Sequence, residues 1–148
     1  MKITDFYPSL LAEAKLSKDP HRQICAAAYD WQLNRIASGW NGIPRKVLDL
    51  PERYNRPLKD FFLNHAEINL IANAARVGAK LEGCSILITE LQPCAGCAAA
   101  LTQAGIVAVW YPVKPTSGKT VRKEWLENFQ AANQIFNEAG VQLCPFDL

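Results

Sequence analysis

Two short motifs restrict the fold of this chain more than any other feature: His65-Ala66-Glu67 and Pro93-Cys94-Ala95-Gly96-Cys97. One imidazole and two thiolates are ligands that Zn²⁺ commonly takes in proteins. A structural zinc site uses four protein ligands, whereas a catalytic site keeps its fourth position for water. Three such residues therefore predict an open, catalytic zinc site. The chain must bring His65, Cys94 and Cys97 together, and the carboxylate of Glu67, two residues after His65, would then lie close to them.

Helix geometry explains the spacing within the motifs. Cys94 and Cys97 are three residues apart, so both sulfurs project to one face if they open a helix. Pro93 is tolerated at such a start, where a missing N–H costs nothing, and the positive end of the helix favours thiolates. Apolar residues at helical spacing predict a second helix over 66–77, beginning beside His65. Two helix starts that meet over a sheet edge would gather these side chains around one point.

A Cys-x-x-Cys pair also has two other interpretations. It can be a redox pair, although a redox pair needs no His-x-Glu motif upstream. It can be half of a structural zinc site, which needs a fourth ligand nearby. The remaining candidates for that ligand are Cys25, Cys84, Cys144 and His21. Among them, Cys84 precedes an apolar run and is expected at the start of a strand.

The bulk properties are those of an ordinary globular protein. We expect residues 1–148 to form one domain, with 49% hydrophobic and 20% charged residues. The sequence contains no apolar run of about 18 residues, so we expect no membrane span. We also expect no signal peptide, because the N-terminal residues lack an apolar core. Five cysteines, two of them in the metal motif, indicate a reducing compartment and a cytoplasmic protein. The net charge of +2 argues against a nucleic-acid partner.

Patterns of hydrophobicity predict the order of the secondary-structure elements. We expect helices over 3–17, 65–77, 94–104 and 122–138, and strands over 22–30, 35–40, 85–90, 106–111 and 141–144. The first two strands should form a hairpin. The order α-β-β-α-β-α-β-α-β predicts a sheet with helices on both faces, and the helix crossovers make its later strands parallel. The connection over 41–64 is long enough to be functional.

With these segments in view, the chain resembles the cytidine deaminase superfamily and, more narrowly, the deoxycytidylate (dCMP) deaminases, including those of phages. The resemblance extends from about Leu16 to Tyr111. Besides the two motifs it includes Ser17-Lys18-Asp19-Pro20 and Gly39-Trp40-Asn41-Gly42-Ile43-Pro44-Arg45. The second of these is similar to the Gly-Tyr-Asn-Gly-x-Pro segment of dCMP deaminases. The resemblance implies an α/β fold, a three-layer α-β-α sandwich with a five-stranded mixed sheet of the cytidine deaminase type.

The resemblance also implies a reaction, the hydrolytic deamination of dCMP to dUMP with release of ammonia. Zn²⁺ held by His65, Cys94 and Cys97 would lower the pKa of a water molecule toward neutrality. Glu67 would take a proton from this water, deliver it to N3 of cytosine, and then protonate the leaving amine. The backbone of Ala66 would recognise the edge of the pyrimidine ring.

Three further residues are candidates for substrate binding. Asn41 resembles the asparagine of the superfamily that binds the sugar, although Asn41-Gly42 can also be a simple turn. Arg45 follows directly and is the first candidate for the 5′-phosphate, because arginine suits bidentate contact. Tyr111 ends a strand near the site, where its ring can stack on the base or belong to the core. The other basic residues open for the phosphate are Lys46, Arg53, Arg56, Lys59 and Arg22, unless nearby acidic residues merely neutralise them.

Two other functions fit the same motifs. The zinc chemistry can act on a different substrate, such as cytidine, dCTP, a modified dCMP, guanine or a base in a nucleic acid. The chain can also be a zinc-stabilised interaction module, although such a module has no use for an acid beside the metal. By resemblance we expect a homo-oligomer that acts on a small nucleotide.

Overall fold

A five-stranded sheet organises the chain, and the computed structural model describes all 148 residues around it. The strands are β1 (Cys25–Tyr29), β2 (Arg35–Trp40), β3 (Ser85–Ile88), β4 (Ala108–Pro112) and β5 (Gln142–Phe146). Their order across the sheet is β2-β1-β3-β4-β5. β1 is antiparallel to β2 and to β3, whereas β3, β4 and β5 are parallel to one another. The predicted hairpin and mixed sheet are therefore confirmed.

The helices lie on both faces of this sheet. They are α1 (Tyr7–Ala14), α2 (Lys59–Phe62), α3 (Ala66–Val77), α4 (Ala95–Gln103) and α5 (Glu124–Ala139), with 3₁₀ turns at Ile3–Phe6 and Pro51–Tyr54. α1 covers one face, and α3, α4 and α5 cover the other. The β3-α4-β4 and β4-α5-β5 connections advance in the same direction, and because such crossovers are right-handed, both helices lie on the same face. The three-layer α-β-α sandwich is confirmed.

Two apolar clusters, one on each face of the sheet, form the core. Between the sheet and α3, α4 and α5, the larger cluster includes Leu70, Ile86 and Phe136. The smaller cluster, between α1 and the sheet, includes Leu10 and Ala27. β1 is buried along its whole length, as expected for a strand that is covered on both faces. None of the helices combines the length and the apolar character that crossing a bilayer requires.

The carboxyl ends of β2, β3 and β4 lie at one edge of the sheet, because β2 and β3 are both antiparallel to β1 and β4 is parallel to β3. From this edge the chain enters the 41–64 connection, the start of α4, and the loop before α5. α3, which follows the 41–64 connection, begins at the same edge. Open α/β sheets bind their ligands at this edge, so it is the expected place of a functional site.

Several boundaries differ from the prediction. Helix 3–17 is instead a 3₁₀ turn followed by α1, because Pro8 near the start of α1 has no N–H to continue an α-helical pattern from residue 3. The first strand begins at Cys25 rather than at residue 22. Strand 85–90 ends at Ile88, where the carbonyl of the next residue, Thr89, accepts hydrogen bonds from side-chain hydroxyls and the ladder stops.

α3 packs directly on β2 at Gly39. A Cβ atom added there would lie 2.4 Å from the backbone nitrogen of Leu70 and 2.9 Å from the carbonyl oxygen of Ala66. Both are backbone atoms of α3, so they cannot move aside unless the helix moves. Glycine at position 39 therefore sets the distance between α3 and the sheet.

We expect Gly39→Ala to lower the free energy of unfolding by about 1–3 kcal/mol, the usual cost of overpacking, or by more because the clash is with backbone. Chemical denaturation of the purified protein measures this. Gly42→Ala is the matched control, since an added Cβ there meets nothing within 4 Å, and its effect should stay within about 0.5 kcal/mol. Equal stability of the two variants would show that α3 is not held this tightly.

Candidate active site

His65, Cys94 and Cys97 converge where α3 and α4 begin. His65 directly precedes α3 and Cys94 directly precedes α4, both in extended backbone conformation. Nδ1 of His65 lies 3.5 Å from Sγ of Cys94 and 3.4 Å from Sγ of Cys97. Zinc–nitrogen and zinc–sulfur bonds of about 2.0 and 2.3 Å place two ligands of a tetrahedron about 3.5 Å apart. The donor atoms and their spacing thus fit Zn²⁺, and the three residues form a candidate zinc site.

This group supplies three ligands and leaves a fourth position open. Its three donor atoms lie within 4.8 Å of one another, and no other histidine, cysteine or carboxylate belongs to the group. The cysteines considered as a fourth ligand, Cys25, Cys84 and Cys144, are buried elsewhere as free thiols. His21 is an exposed residue whose ring contacts Asn55. The interpretation as a four-ligand structural site therefore lacks its fourth ligand.

One of the two thiols loses its proton easily, whereas the other keeps it. The pKa of Cys94 is lowered to about 4, because the Cys97 thiol and the His65 imidazole hydrogen-bond to its thiolate. The pKa of Cys97 is raised, because this thiol donates to the Cys94 thiolate and is buried. A divalent cation between the sulfurs would stabilise the second thiolate as well.

Glu67 is the second residue of α3 and lines the same cavity as His65 and Cys94. Its side chain is buried, and burial raises the pKa of its carboxyl, against the opposing effect of the nearby His65. A carboxyl whose pKa is raised toward neutrality exchanges protons efficiently near pH 7. The geometry therefore places a buried carboxyl with a raised pKa beside the open metal position.

α5 stabilises the start of α4. The backbone N–H of Ala95 donates to Oδ1 of Asn128 at 2.8 Å, and Nε2 of Gln92 donates to Oδ1 of Asn133 at 2.8 Å. Because the first N–H groups of a helix have no partner within that helix, Asn128 supplies one from another element. The sequence motifs gave no sign of this support, which comes from a helix 30 residues away.

A cavity of about 720 Å³ opens in front of the zinc ligands. Its size is within the range of about 300–1,000 Å³ that small-molecule sites have. The walls come from residues just before β1, the 41–64 connection, the starts of α3 and α4, and the loop before α5 together with the first turns of α5. The structure thus gathers five separate segments around the metal position.

Asn41 lines this cavity, and a short backbone pairing holds it near His65. Gly42 and Asn64 form an antiparallel bridge with N–H···O distances of 3.1 and 2.9 Å. Each is the direct neighbour of a site residue, since Gly42 follows Asn41 and Asn64 precedes His65. Asn41 is therefore more than a turn residue, although its contact with a sugar stays a prediction.

Neither Arg45 nor Tyr111 lines the cavity. Arg45 donates to Oδ1 of Asn73 in α3 at 2.7 Å, and Tyr111 packs against the larger core cluster. Within one chain, the structure brings neither of them to the metal. Ala66 is buried as the first residue of α3, and recognition of the base by its backbone stays a prediction.

Aromatic residues do reach the cavity, but from α5. The rings of Trp125 and His65 have centroids 6.4 Å apart, and Phe129 lies 5.9 Å beyond Trp125. Both α5 rings line the cavity. Their spacing of four residues places them on one face of a helix, but nothing in the sequence indicated that this face meets the zinc ligands.

Five basic side chains line the cavity together with two carboxylates, those of Asp19 and Glu67. The basic residues are Arg22, Arg56, Lys59, Lys119 and Arg122. The site is therefore electropositive before any metal is bound, although the chain as a whole has a net charge of only +2.

Carboxylates neutralise three of these cations. Arg22 pairs with Glu90 at 3.3 Å, Arg56 with Asp60 at 3.1 Å, and Lys59 with Asp19 at 2.7 Å. The other two have no acidic partner. Nζ of Lys119 contacts the backbone carbonyl of His21, and no carboxylate pairs with Arg122. Lys119 and Arg122 are the cations that remain available to an anionic ligand.

Comparison with known proteins agrees with this site. Residues 2–113 match the family described as "Cytidine and deoxycytidylate deaminase zinc-binding region". The match includes all three zinc ligands and most of the chain. The chain belongs to this family, and it is a hydrolytic deaminase of the cytidine deaminase type.

Individual relatives extend this result. A protein of Aliivibrio fischeri described as an uncharacterised deaminase in the luxG 3′ region is 37% identical, over 89% of this chain and 86% of its own. Human deoxycytidylate deaminase is 32% identical, over 90% of this chain and 72% of its own. The dCMP deaminase of cyanophage S-TIM5, solved in complex with dCMP and dUMP, superposes with a TM-score of 0.73 over 99% of both chains at 20% identity. At that identity, the likeness establishes the fold.

We expect Cys97→Ala to bind much less zinc than the approximately one ion per chain of the wild type, because two protein ligands hold Zn²⁺ poorly. Elemental analysis after gel filtration in the presence of a weak chelator measures the metal content. Cys144→Ala, which removes a buried cysteine outside the site, is the matched control and should keep the wild-type content. Equal zinc in the two variants would contradict the assignment of Cys97 as a ligand.

Proposed function

We propose that the protein converts dCMP to dUMP with release of ammonia, and thereby supplies the nucleotide from which thymidylate is made. The main support is the open group of His65, Cys94 and Cys97, with a buried Glu67 beside it, at the end of a cavity that retains unpaired cations. The three zinc ligands and the buried Glu67 suit deamination in general. The unpaired cations favour a substrate that carries a phosphate. In this proposal residues 1–148 act as one deaminase domain.

Glu67 would carry the protons in this reaction. Bound zinc supplies water that is acidic enough to serve as a nucleophile near pH 7. The Glu67 carboxylate accepts one proton from that water and passes it to N3 of cytosine, which makes C4 electrophilic. After the oxygen has added to C4, Glu67 would take the second proton from that oxygen and transfer it to the exocyclic amine. The C4–N bond then breaks, ammonia leaves, and the C4 carbonyl of uracil forms.

The surrounding residues would orient the nucleotide. The ring of Trp125, near His65, is suited to stack on the base, in place of the stacking first expected from Tyr111. The backbone of Ala66, at the start of α3, would recognise the edge of the base, and Asn41 would bind the sugar. Together these contacts would hold C4 at the open metal position, close to Glu67.

Lys119 and Arg122 would bind the 5′-phosphate. They lack carboxylate partners, so a phosphate could bind them without displacing an ion pair. The guanidinium of Arg122 can also make two parallel hydrogen bonds to phosphate oxygens. Arg45, the first candidate from the sequence, points instead to Asn73, and would reach a phosphate only in a neighbouring copy of the chain.

We also propose that the protein is a homo-oligomer that acts in the cytoplasm, or in the cytoplasm of the host if it is encoded by a phage. The five cysteines are all free, which suits a reducing compartment. The oligomer is inferred from the family resemblance alone.

Ammonia release by the zinc-loaded protein tests the proposed substrate. The compounds to compare are dCMP, dCTP, deoxycytidine, CMP, guanine and a short single-stranded DNA, and we expect dCMP to be turned over far faster than the others. Glu67→Gln should lower kcat/KM by at least about 10²–10⁴-fold, because it removes the proton carrier, while the zinc content stays unchanged. A preference for another compound would keep the zinc chemistry and reject dCMP. Inactivity on all of them would contradict the catalytic assignment.

We expect Arg122→Gln to raise the KM for dCMP by about 10-fold or more, the usual effect of losing a hydrogen bond between charged groups. Activity on deoxycytidine, which has no phosphate, should change little. Arg45→Gln is the matched control and should leave the KM for dCMP within about twofold of the wild type. If Arg45→Gln raised the KM and Arg122→Gln did not, the phosphate would bind at Arg45, contributed by another copy of the chain.

A further inference from the structure

Asp19 is a buried carboxylate at the edge of the cavity, in a segment that the proposed reaction does not use. Its side chain is 1% exposed. Oδ1 accepts a hydrogen bond from the backbone N–H of His21 at 2.8 Å, and Oδ2 accepts from Nδ2 of Asn41 at 3.2 Å. A carboxylate is almost never fully buried unless it is paired, and these two hydrogen bonds satisfy part of that requirement.

Asp19 and its neighbours fix the amide of Asn41 in one orientation. Nδ2 of Asn41 donates both hydrogens, one to Asp19 and one to the carbonyl of Arg22 at 2.8 Å. Oδ1 of Asn41 accepts from the N–H of Ile24 at 2.9 Å. A rotation of the amide by 180° would place donors against donors and acceptors against acceptors. The hydroxyl of Ser17 holds the backbone of the same residue by donating to its carbonyl at 2.8 Å.

This orientation leaves the Asn41 side chain with one unused hydrogen-bond acceptor position. An amide oxygen accepts two hydrogen bonds and an amide nitrogen donates two. Both donors are used, and one lone pair of Oδ1 is used. Asn41 can therefore offer only an acceptor to a ligand in the cavity, and its partner has to be a donor such as a sugar hydroxyl.

Lys59 places a positive charge directly beside Asp19. Its Nζ lies 2.7 Å from Oδ2 of Asp19, the same oxygen that accepts from Asn41. The ammonium comes from α2, within the 41–64 connection, and its side chain is 20% exposed. Because the pair is largely removed from water, its attraction is screened less than that of a surface pair.

From these contacts we propose that Asp19 is a positioning residue for substrate recognition. It holds the Asn41 amide so that Oδ1 faces the cavity and accepts a hydrogen bond from the 3′-hydroxyl of the nucleotide sugar. This inference rests on the proposed function, because it takes a deoxynucleotide as the ligand. It assigns a role to the Ser17-Lys18-Asp19-Pro20 segment, which the metal chemistry leaves without one.

The test compares dCMP with 2′,3′-dideoxy-CMP, which lacks the 3′-hydroxyl, in the wild type and in Asp19→Ala. We expect Asp19→Ala to lower kcat/KM for dCMP by about 10-fold or more, mostly through KM, and to change kcat/KM for the dideoxy compound by no more than about twofold. Calorimetric binding of dUMP and 2′,3′-dideoxy-UMP should show the same selective loss without any turnover. Zinc content should stay at the wild-type level.

Further variants complete the test. In an Asn41→Ala background, Asp19→Ala should have no further effect on the preference for the 3′-hydroxyl, because the residue it positions is gone. Asp49→Ala is the matched control. Asp49 also pairs with a lysine, Lys18, at 2.8 Å, but it does not line the cavity, and its loss should leave the preference unchanged. If Asp19→Ala does not fold, Asp19→Asn, which has the same size but puts a donor where Oδ2 or Oδ1 accepts, takes its place.

The outcomes separate this inference from the proposed function. Equal losses on dCMP and on the dideoxy compound would mean that Asp19 has a purely structural role, and would overturn the inference while dCMP remains the substrate. The same conclusion follows if Asp19→Ala and Asn41→Ala act independently. If the wild type does not turn over dCMP, the proposed function fails. The comparison is then made with the preferred nucleotide and its 3′-deoxy form, and a selective loss there would still support the inference.

Discussion

The packing of α3 on β2 fixes the position of the metal ligands. Gly39 allows the backbones of the two elements to meet, and Nδ2 of Asn73 and of Asn69 donate to the carbonyls of Ser38 and Trp40, at 2.7 and 2.8 Å. Side-chain amides of α3 thus donate hydrogen bonds to backbone carbonyls of the edge strand β2, and these bonds hold the helix on the strand. α3 starts at the same edge of the sheet at which β3 leads into α4. His65, just before α3, therefore lies beside Cys94 and Cys97 at the start of α4. A rotation or shift of α3 would separate the imidazole from the two thiolates.

The same arrangement explains the electrostatics of the site. The starts of α3 and α4 direct unpaired N–H groups and the positive ends of two helix dipoles toward the metal position. Thiolates are stabilised there, and the lowered pKa of Cys94 reflects hydrogen bonds that act in the same direction. Glu67 is the second residue of α3 and is buried, and this burial raises the pKa of its carboxyl. The starts of two helices therefore place a thiol with a lowered pKa and a buried carboxyl with a raised pKa in the same cavity.

The sequence predicted the features that depend on local spacing, and it missed those that depend on where distant segments meet. The ligands and both helix starts followed from the motifs, because residues two or three apart have a fixed geometry at a helix start. Trp125 and Arg122 could not be found in that way, since the loop after β4 has to fold back over the site before they reach it. Arg45 shows the converse. It is close to Asn41 in sequence, yet its side chain extends along α3 to Asn73.

Two buried acids take up two of the five cations in the cavity. Asp19 neutralises Lys59, and Glu90 neutralises Arg22. Glu90 also accepts hydrogen bonds from the backbone N–H and the hydroxyl of Ser117, so it holds the loop before α5 against the sheet edge. That loop carries the two cations without acidic partners. A single buried carboxylate thus pairs with one arginine and positions the segment that presents two other cations. In the proposed function, phosphate recognition would therefore depend on this loop rather than on the number of basic residues in the cavity.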